Sequence, residues 1–415
     1  MPILNGIYAD TPFDTEEILQ ADLNIANKYR SNPLRWKGQF SPQLVQVFLD
    51  NYSDSDSTVF DPFLGSGTVL LESGMAGLKA SGTEINPAAV MLAQTYRFIN
   101  IPLDLRRSHL QTVSNLLHDE FLLELPLFQN IEQVHSKANF EAVKLKLVGL
   151  LPKVDDRFQQ GLLETLITLL DFYQTDISVK KIFKVWENLR QLVIKLPFSH
   201  QPIEVFLSDA REVPLCDESV DLVITSPPYI NVFNYHQQYR ASMEALNWNL
   251  LGVSRSEFGA NRKHRANRFL TVVQFCLDMA QALGELARIC CSGARLILVV
   301  GRESKVKGTR FFNGEIVAEV CHRSLGFNLI LKQQRVFRNS FGQSIFEDIL
   351  HFSPPFEHSL PEVYLEKARN VAQETLEASY STVPEKSKKD IKLAVKNIYG
   401  VHPSPLFNAK STKGI

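Results

Sequence analysis

The stretch Ser219-Val220-Asp221-Leu222-Val223-Ile224-Thr225-Ser226-Pro227-Pro228-Tyr229 decides the fold. Its first half is apolar and β-branched and follows a turn-forming segment, 216–218, so it predicts a buried strand. Its second half is stiffened by two prolines, which fix φ and lack N–H donors. Because open α/β sheets bind ligands at the carboxyl ends of their strands, this tip predicts oxygen acceptors and an aromatic face for a flat ring with an amino group. The alternative is a Pro-Pro turn with a packed tyrosine.

A second strand-turn-helix pattern lies upstream, in Thr58-Val59-Phe60-Asp61-Pro62-Phe63-Leu64-Gly65-Ser66-Gly67-Thr68. Its glycines let the backbone approach a ligand closely, and the helix that follows offers unpaired N–H groups to an anion. Asp61 at the strand tip would repel a phosphate but suits an ammonium group. The spacing is neither that of a phosphate loop nor that of a dinucleotide fingerprint. The pattern therefore predicts a ligand with both an ammonium and a carboxylate, such as an amino acid.

Other predicted strands also end in polar residues. The strand 79–84 ends in Glu84, which is placed to accept hydrogen bonds from ribose hydroxyls. The strand 203–207 is followed by Asp209. With Asp61 and Ser226, successive strand tips each carry one polar group, which indicates a single ligand site along one edge of the sheet.

The remaining pattern predicts a doubly wound, mainly parallel sheet with an antiparallel strand near its end. Ser41 and Pro42 are placed to cap and begin a helix, and a long amphipathic helix is predicted over 270–289. Further strands are predicted over 294–300, 328–337 and 347–352. This alternation of strands and helices is typical of an α/β domain.

The predicted domain spans residues 1–353 and contains a helical insertion at about 103–200. The insertion is rich in Leu, Lys, Glu and Gln with helical spacing and interrupts the alternation of strands and helices. It serves either as a scaffold or as a substrate contact. Residues 354–415 are predicted to form a charged, partly helical C-terminal tail.

A basic loop is predicted at about 250–269. Because it follows the polar tip at 225–229, it is a candidate for contact with nucleic-acid phosphates. A solvated surface loop is an equally good interpretation. The candidate DNA-binding residues are Arg255, Arg262, Lys263, Arg265 and Arg268.

Composition limits the classes of protein to consider. The 415 residues carry a formal net charge of −1, so any nucleic-acid affinity must come from local basic patches. The five cysteines show no C-x-x-C or zinc spacing, which predicts reduced thiols, no metal and a cytoplasmic location. The acidic N-terminal region does not resemble a signal peptide, and no apolar run is long enough to span a membrane.

The segments Asp61–Thr68 and Thr225–Tyr229 together resemble the S-adenosylmethionine-dependent DNA amino-methyltransferases. They are most similar to the cytosine-N4 branch, the first to its cofactor loop and the second to its catalytic loop. The resemblance covers about residues 30–353, apart from the helical insertion. It implies a Rossmann-like class I methyltransferase fold with a seven-stranded sheet.

The resemblance also implies roles for individual residues. In this family Asp61 and the glycine turn would hold the methionine end of the cofactor, Glu84 the ribose and Asp209 the adenine. The implied cofactor-binding residues are Phe40, Asp61, Pro62, Phe63, Gly65, Ser66, Gly67, Thr68, Glu84, Ile85, Asp209 and Ala210. The implied catalytic residues are Ser226, Pro227, Pro228 and Tyr229.

The implied activity is methyl transfer to the exocyclic N4 amine of a cytosine flipped out of double-stranded DNA. It would serve restriction-modification, with a restriction endonuclease as functional partner, or an epigenetic role. Ser226 in place of an acid favours cytosine over the alternatives, which are adenine-N6 methylation of DNA and amino methylation of an RNA base. A DNA-binding protein without turnover is a further alternative.

One departure limits what the resemblance implies, and one competing chemistry lacks its nucleophile. Many cytosine-N4 enzymes place the catalytic motif before the cofactor loop, whereas here the cofactor loop comes first, so the recognition sequence does not follow from the family. Cytosine-C5 chemistry needs a nucleophilic cysteine, usually after a proline. No Pro-Cys pair exists, and Cys290 and Cys291 are predicted to end a helix.

Overall fold

The computed structural model describes residues 4–121, 137–173, 177–230, 234–259, 264–338, 342–357 and 359–412. Its strands are β1 (Thr58–Asp61), β2 (Lys79–Glu84), β3 (Ile203–Leu207), β4 (Val220–Thr225), β5 (Cys290–Gly301), β6 (Glu303–Val306), β7 (Thr309–Phe312), β8 (Asn328–Arg338) and β9 (Ser344–Ser353). Seven of them form one sheet in the order β3-β2-β1-β4-β5-β9-β8. The pairs from β3 to β5 are parallel, and β9 is antiparallel to both of its neighbours. This arrangement confirms the predicted Rossmann-like class I methyltransferase fold.

Helices cover both faces of the sheet. They are α1 (Ile7–Asp10), α2 (Gln20–Leu23), α3 (Pro42–Tyr52), α4 (Thr68–Met75), α5 (Pro87–Gln94), α6 (Leu103–Phe121), α7 (Lys137–Val148), α8 (Arg157–Leu170), α9 (Val179–Lys195), α10 (Arg240–Ala245), α11 (Leu250–Val253), α12 (Leu270–Ile289), α13 (Asn313–Glu319), α14 (Pro361–Ser379), α15 (Lys388–Lys396) and α16 (Ala409–Thr412). A π-helical turn, Val320–Ser324, follows α13. None of the described helices is both long and apolar enough to cross a membrane.

The central strands β1 and β4 position the site. They lie side by side, with Phe60 paired to Val223, and both residues are fully buried. Such strands read as continuous apolar runs because helices cover both of their faces. The strand order reverses between β1 and β4, and open α/β sheets bind ligands at such a switch point.

Within the insertion, α8 packs against α5, and α6, α7 and α9 pack against α8, so that these helices extend one face of the core. Arg106 on α6 joins them, although its side chain is almost completely buried. Its guanidinium donates hydrogen bonds to the carbonyls of Ile101, Val193, Leu196 and Pro197. Backbone carbonyls, and not a carboxylate, thus accept the hydrogen bonds of this buried cation. The same bonds fix the end of α9 against the start of α6.

The C-terminal residues contribute to the core on the other face. Helix α14 packs along α12 and buries Ala368, Val371, Ala372 and Leu376. Helices α14 and α15 accord with the expectation of a partly helical tail. The domain boundary at residue 353 stays a prediction, because the helix that follows it shares a hydrophobic cluster with α12.

Three local features differ from the sequence expectation. Pro42 begins α3, but the Ser41 hydroxyl makes no hydrogen bond to the described residues, so it does not cap the helix. Cys290 and Cys291 begin β5 instead of ending a helix, because Cys290 pairs with Val220 ahead of a bulge. The segment that carries Arg302, Lys305, Lys307 and Arg310 is expected from its sequence to be a second basic loop, but it forms the hairpin β6–β7, whose apolar Val306 and Phe311 are buried.

Candidate active site

A cleft of about 1020 Å³, counted out to its open mouth, lies over the tips of β1, β2, β3 and β4. It brings together residues that are far apart in the sequence. The predicted residues that line it are Phe40, Asp61, Pro62, Phe63, Gly65, Ser66, Thr68, Glu84, Ile85, Asp209, Ala210, Ser226, Pro228 and Tyr229. The predicted cofactor loop and the predicted catalytic loop therefore line the same cleft.

Asp61 joins these two loops directly. Its carboxylate is 2% exposed and accepts hydrogen bonds at Oδ1 from the Phe63 N–H, at 3.0 Å, and from the Thr225 hydroxyl, at 2.6 Å. Burial raises the pKa of Asp61 to about 7 despite these donors. A buried carboxylate of this kind is stabilised by a bound cation, which accords with the predicted ammonium partner.

Glu84 holds the glycine turn against the tip of β2. Its carboxylate accepts hydrogen bonds from the N–H groups of Gly65, at 3.0 Å, and Asn86, at 2.8 Å. Burial raises the pKa of Glu84 to about 7. Gly65 has φ of +53°, and a Cβ there would lie 3.1 Å from Cδ1 of Trp36. The turn therefore requires glycine both for its backbone conformation and for the approach of the indole.

Gly67 and Pro227 are the two predicted cofactor-binding and catalytic residues that do not line the cleft. Gly67 has φ of +85° and precedes α4, and a Cβ there would lie 2.9 Å from Cδ2 of Tyr96. This glycine lets α4 begin against α5. Pro227 is buried. Direct contacts of these two residues with ligands stay predictions.

Asp209 is engaged within the protein. Both of its oxygens accept hydrogen bonds from Arg211, at 2.8 and 2.7 Å, and Oδ2 also accepts one from the Phe407 N–H, at 3.0 Å. An adenine amino group would have to share these acceptors, so the adenine contact stays a prediction. The bond to Phe407 ties the C-terminal segment to the tip of β3, which no local sequence pattern indicated.

The predicted catalytic tip, residues 225–229, is braced from two sides. The Ser226 and Tyr229 hydroxyls form a hydrogen bond of 3.0 Å. The Tyr229 ring lies against Gly301 of β5, where a Cβ would come within 2.8 Å of Cε2. Burial raises the pKa of the Tyr229 hydroxyl above its usual value, so the group stays protonated. The ring thus has a fixed position beside the serine.

Sequence reasoning missed several residues that line the cleft, among them Trp36, Tyr235 and Glu257. The Trp36 and Tyr235 rings are nearly parallel, with centroids 6.4 Å apart. Glu257 accepts a hydrogen bond from the His236 N–H at 2.8 Å, and its Oε2 lies 2.9 Å from Nδ1 of the same histidine. Glu257 is the one acid in the cationic run 255–268, and Trp36 lies four residues from Phe40. These two positions in the sequence could have identified Glu257 and Trp36 as candidate site residues.

Residues Glu257 to Gly259 of the predicted basic loop line the cleft. Arg255 and Arg265 are exposed, and Arg268 is half-buried. Arg262 and Lys263 lie outside the described residues. Phosphate contact by this loop stays a prediction. Within the described part of the chain, no three His, Cys, Asp or Glu side chains are grouped so that they could hold a metal ion.

The raised pKa values predict a pH dependence of cofactor binding. Between pH 7 and 5.5 the Asp61 and Glu84 carboxyls of the free protein take up protons, which a cationic ligand must displace. An α-amino group stays protonated over this range. Affinity should therefore fall with falling pH, approaching about tenfold per pH unit for each carboxyl that must ionise. Calorimetric titration with S-adenosylmethionine at several pH values measures how steeply the affinity changes with pH. Asp61→Asn should remove the part of this pH dependence that comes from Asp61. A flat profile would contradict the prediction.

Comparison with known proteins bears on the family that the chain resembles. A family model described as a DNA methylase of the N6/N4 type matches residues 11–95. The chain is 25% identical over 277 residues to the Type II methyltransferase M.BsoBI of Geobacillus stearothermophilus, covering 53% of this chain and 54% of that protein. It is 32% identical over 97 residues to the Type II methyltransferase M.MjaII of Methanocaldococcus jannaschii, covering 22% and 18%. These matches confirm the resemblance to N4/N6 DNA methyltransferases.

The matches leave much of the relatives uncovered, since the chain spans 54% of M.BsoBI and 18% of M.MjaII. Among solved structures, a SAM-dependent methyltransferase from Methanosarcina mazei is 13% identical, with a TM-score of 0.34, and the match covers 75% of this chain and 98% of that one. The fold assignment itself rests on the strand order. S-adenosylmethionine is the expected cofactor of an N4/N6 methyltransferase.

Proposed function

We propose that this chain is a DNA methyltransferase that transfers a methyl group from S-adenosylmethionine to the exocyclic N4 amine of cytosine. The observation that carries the proposal is the catalytic tip. Ser226 and Tyr229 lie in one cleft with Asp61 and Glu84, and Thr225 bonds the two loops together. The family match supports amino methylation of DNA.

The cleft suits the cofactor by the chemistry of its lining. Asp61 would hold the ammonium, the N-terminus of α4 the carboxylate, and Glu84 the ribose hydroxyls. Trp36, Phe63 and Tyr235 supply aromatic surface for the adenine and the methionine chain. When bound, S-adenosylmethionine supplies an electrophilic methyl group on its sulfonium.

The residues of the catalytic tip would act on the target base. A base within a duplex cannot reach this cleft, so it must be flipped out. Tyr229 would stack on the extruded ring. When the Ser226 hydroxyl donates to Tyr229, its lone pairs remain to accept hydrogen from the amine, and the Pro227 carbonyl would accept the other. Alignment of the reactants contributes about 7 kcal/mol or more to such a transfer.

Adenine-N6 methylation is the second candidate, because the matching family model covers both reactions. Ser226 favours cytosine, since it presents a neutral hydroxyl where an acid would suit adenine. The basic residues from Arg255 to Arg268 would contact DNA phosphates. A role in restriction-modification, with an endonuclease as functional partner, is part of the proposal because the relatives are named Type II methyltransferases.

Transfer of labelled methyl groups tests the reaction class. The protein is incubated with methyl-tritiated S-adenosylmethionine and, separately, with unmethylated duplex DNA and with RNA. We expect acid-precipitable label in DNA and little in RNA. Label in RNA alone would contradict a DNA substrate. Tight DNA binding without label in either polymer would favour a protein that binds without turnover.

A further inference from the structure

A second cleft adjoins the catalytic tip and shares Tyr229 and the segment Gly38–Phe40 with the first. Its walls are the N-terminal segment, the end of β5 and the β8–β9 hairpin. Counted out to its open mouth it measures about 2470 Å³. A target base that stacks on Tyr229 would border this space.

Residues of three neighbouring strands form a row from Tyr229 into the second cleft. Gly301 of β5 is paired with Glu347 of β9, and Glu347 is paired with Arg335 of β8. Directly paired residues project from the same face of a sheet. A Cβ on Gly301 would meet the Tyr229 ring, so Glu347 and Arg335 project from the face on which that ring lies. Two strand spacings, about 10 Å, separate Gly301 from Arg335.

Arg335 is held in place but its donors are not all used. Its side chain is 10% exposed, its Nε lies 2.7 Å from Oε2 of Glu347, and its guanidinium carbon lies 4.6 Å from the Phe337 ring centroid. The contact with Glu347 is an ion pair without hydrogen-bond alignment at Nε, and Nη1 also makes no hydrogen bond to the described residues. Buried donors without acceptors are costly, so they indicate a ligand that supplies acceptors.

We propose that Arg335 selects the target base by donating hydrogen bonds to two atoms of cytosine. These are the ring nitrogen N3, which lies beside the reactive amine, and the carbonyl oxygen O2, which lies beyond N3. The Watson–Crick edge of cytosine carries the N4 amine, the N3 acceptor and the O2 acceptor in a row. A guanidinium can donate to two neighbouring acceptors at once. Adenine carries N1 and then a C–H group, so one donor would stay unpaired. This inference rests on the proposed function and adds a residue for choosing between its two candidate bases.

Glu347 and Phe337 would position the guanidinium of Arg335 and would not form hydrogen bonds with the base themselves. The carboxylate keeps the charge of Arg335 compensated in a half-enclosed setting. The Phe337 ring supports the guanidinium plane by a cation–π contact. The arrangement presents fixed donors. A site with fixed donors strongly rejects a base that lacks one of the matching acceptors, because a donor is then left unpaired.

Arg335→Met tests the proposal, because methionine keeps much of the packing over Phe337 and removes the donors. Unmethylated genomic DNA is treated with each variant, and N4-methylcytosine and N6-methyladenine are quantified by nucleoside mass spectrometry. We expect cytosine methylation to fall about 10- to 100-fold, with no fall in any adenine methylation. Arg335→Lys keeps the positive charge but loses the forked pair of donors. Its cytosine methylation should therefore lie between that of the wild type and that of Arg335→Met.

Arg338→Met is the matched control, since Arg338 is exposed, lies on the same strand and lines the same cleft. It removes the same charge and should leave the ratio of the two products unchanged. The double variant Arg335→Met, Glu347→Gln covers the case in which an unpaired Glu347 destabilises the single variant. It should show the same loss of cytosine methylation with wild-type cofactor affinity.

The outcomes separate this inference from the proposed function. A wild-type protein that makes N4-methylcytosine, with a double variant of unchanged rate and product ratio, would overturn the role of Arg335 alone. Loss of cofactor affinity in the folded double variant would likewise overturn it, because Arg335 would then be a structural brace. A wild-type protein that makes only N6-methyladenine would contradict the proposed base itself.

Discussion

Replacing Asp61 with alanine should reduce S-adenosylmethionine binding more than a hundredfold while the protein stays folded. The carboxylate is buried at the tip of β1, and the cleft offers the ammonium of the ligand a low-dielectric partner there. Breaking a buried charge pair by removing one partner costs about 3–5 kcal/mol. Isothermal calorimetry at pH 7.5 measures the affinity, and thermal unfolding checks the fold.

Asp56→Ala is the matched control for this prediction. It removes the same charge from an exposed position on the loop before β1 and should bind the cofactor as the wild type does. Asp61→Ala also leaves the Thr225 hydroxyl without its acceptor, so a modest fall in unfolding temperature is expected. Wild-type affinity in a folded Asp61→Ala protein would remove this loop from the cofactor site.

The second large effect is expected at Ser226. Ser226→Ala should leave cofactor and DNA binding intact and slow methyl transfer about a hundredfold, because it removes an acceptor that the amine needs as it rehybridises. Loss of one preorganised polar contact costs roughly 3 kcal/mol in other enzymes. Single-turnover rates at saturating DNA measure the effect.

Tyr229 should behave differently from its neighbour. Tyr229→Ala removes the stacking surface, worth about 1–3 kcal/mol per base, and so should impair capture of the flipped base as well as turnover. Tyr229→Phe keeps the ring over Gly301 and removes only the hydroxyl with its bonds, including the one to Ser226, so it should lose much less. Fluorescence from a flipped-base reporter separates capture from transfer. Full activity in both Ser226→Ala and Tyr229→Ala would remove this stretch from the active site.

The fold and most of the cleft followed from local sequence patterns. An apolar strand that ends in a polar tip is visible within a dozen residues, and parallel strands place their tips at one edge. Asp61, Glu84 and Ser226 therefore lie together as predicted from three separate stretches. The sequence did not show that Thr225 bonds Asp61, because that contact depends on the adjacency of β1 and β4.

The features that the sequence could not predict depend on strand register and on distant chain segments. Gly301, Glu347 and Arg335 form a row only because of the antiparallel pairing of β9 with both of its neighbours. A shift of one residue in either pairing would place the charged side chains on the opposite face. The bond from the Phe407 N–H to Asp209 spans almost half of the chain and has no local signature.

The identity of the methylated base tests the central claim most directly. Unmethylated genomic DNA is treated with the protein and S-adenosylmethionine, digested to nucleosides and analysed by mass spectrometry, with Ser226→Ala as the control for background. The proposed function predicts N4-methylcytosine that depends on the protein and is strongly reduced with Ser226→Ala. N6-methyladenine as the only product would contradict the cytosine assignment, and the absence of both products under conditions of cofactor and DNA binding would contradict an amino-methyltransferase.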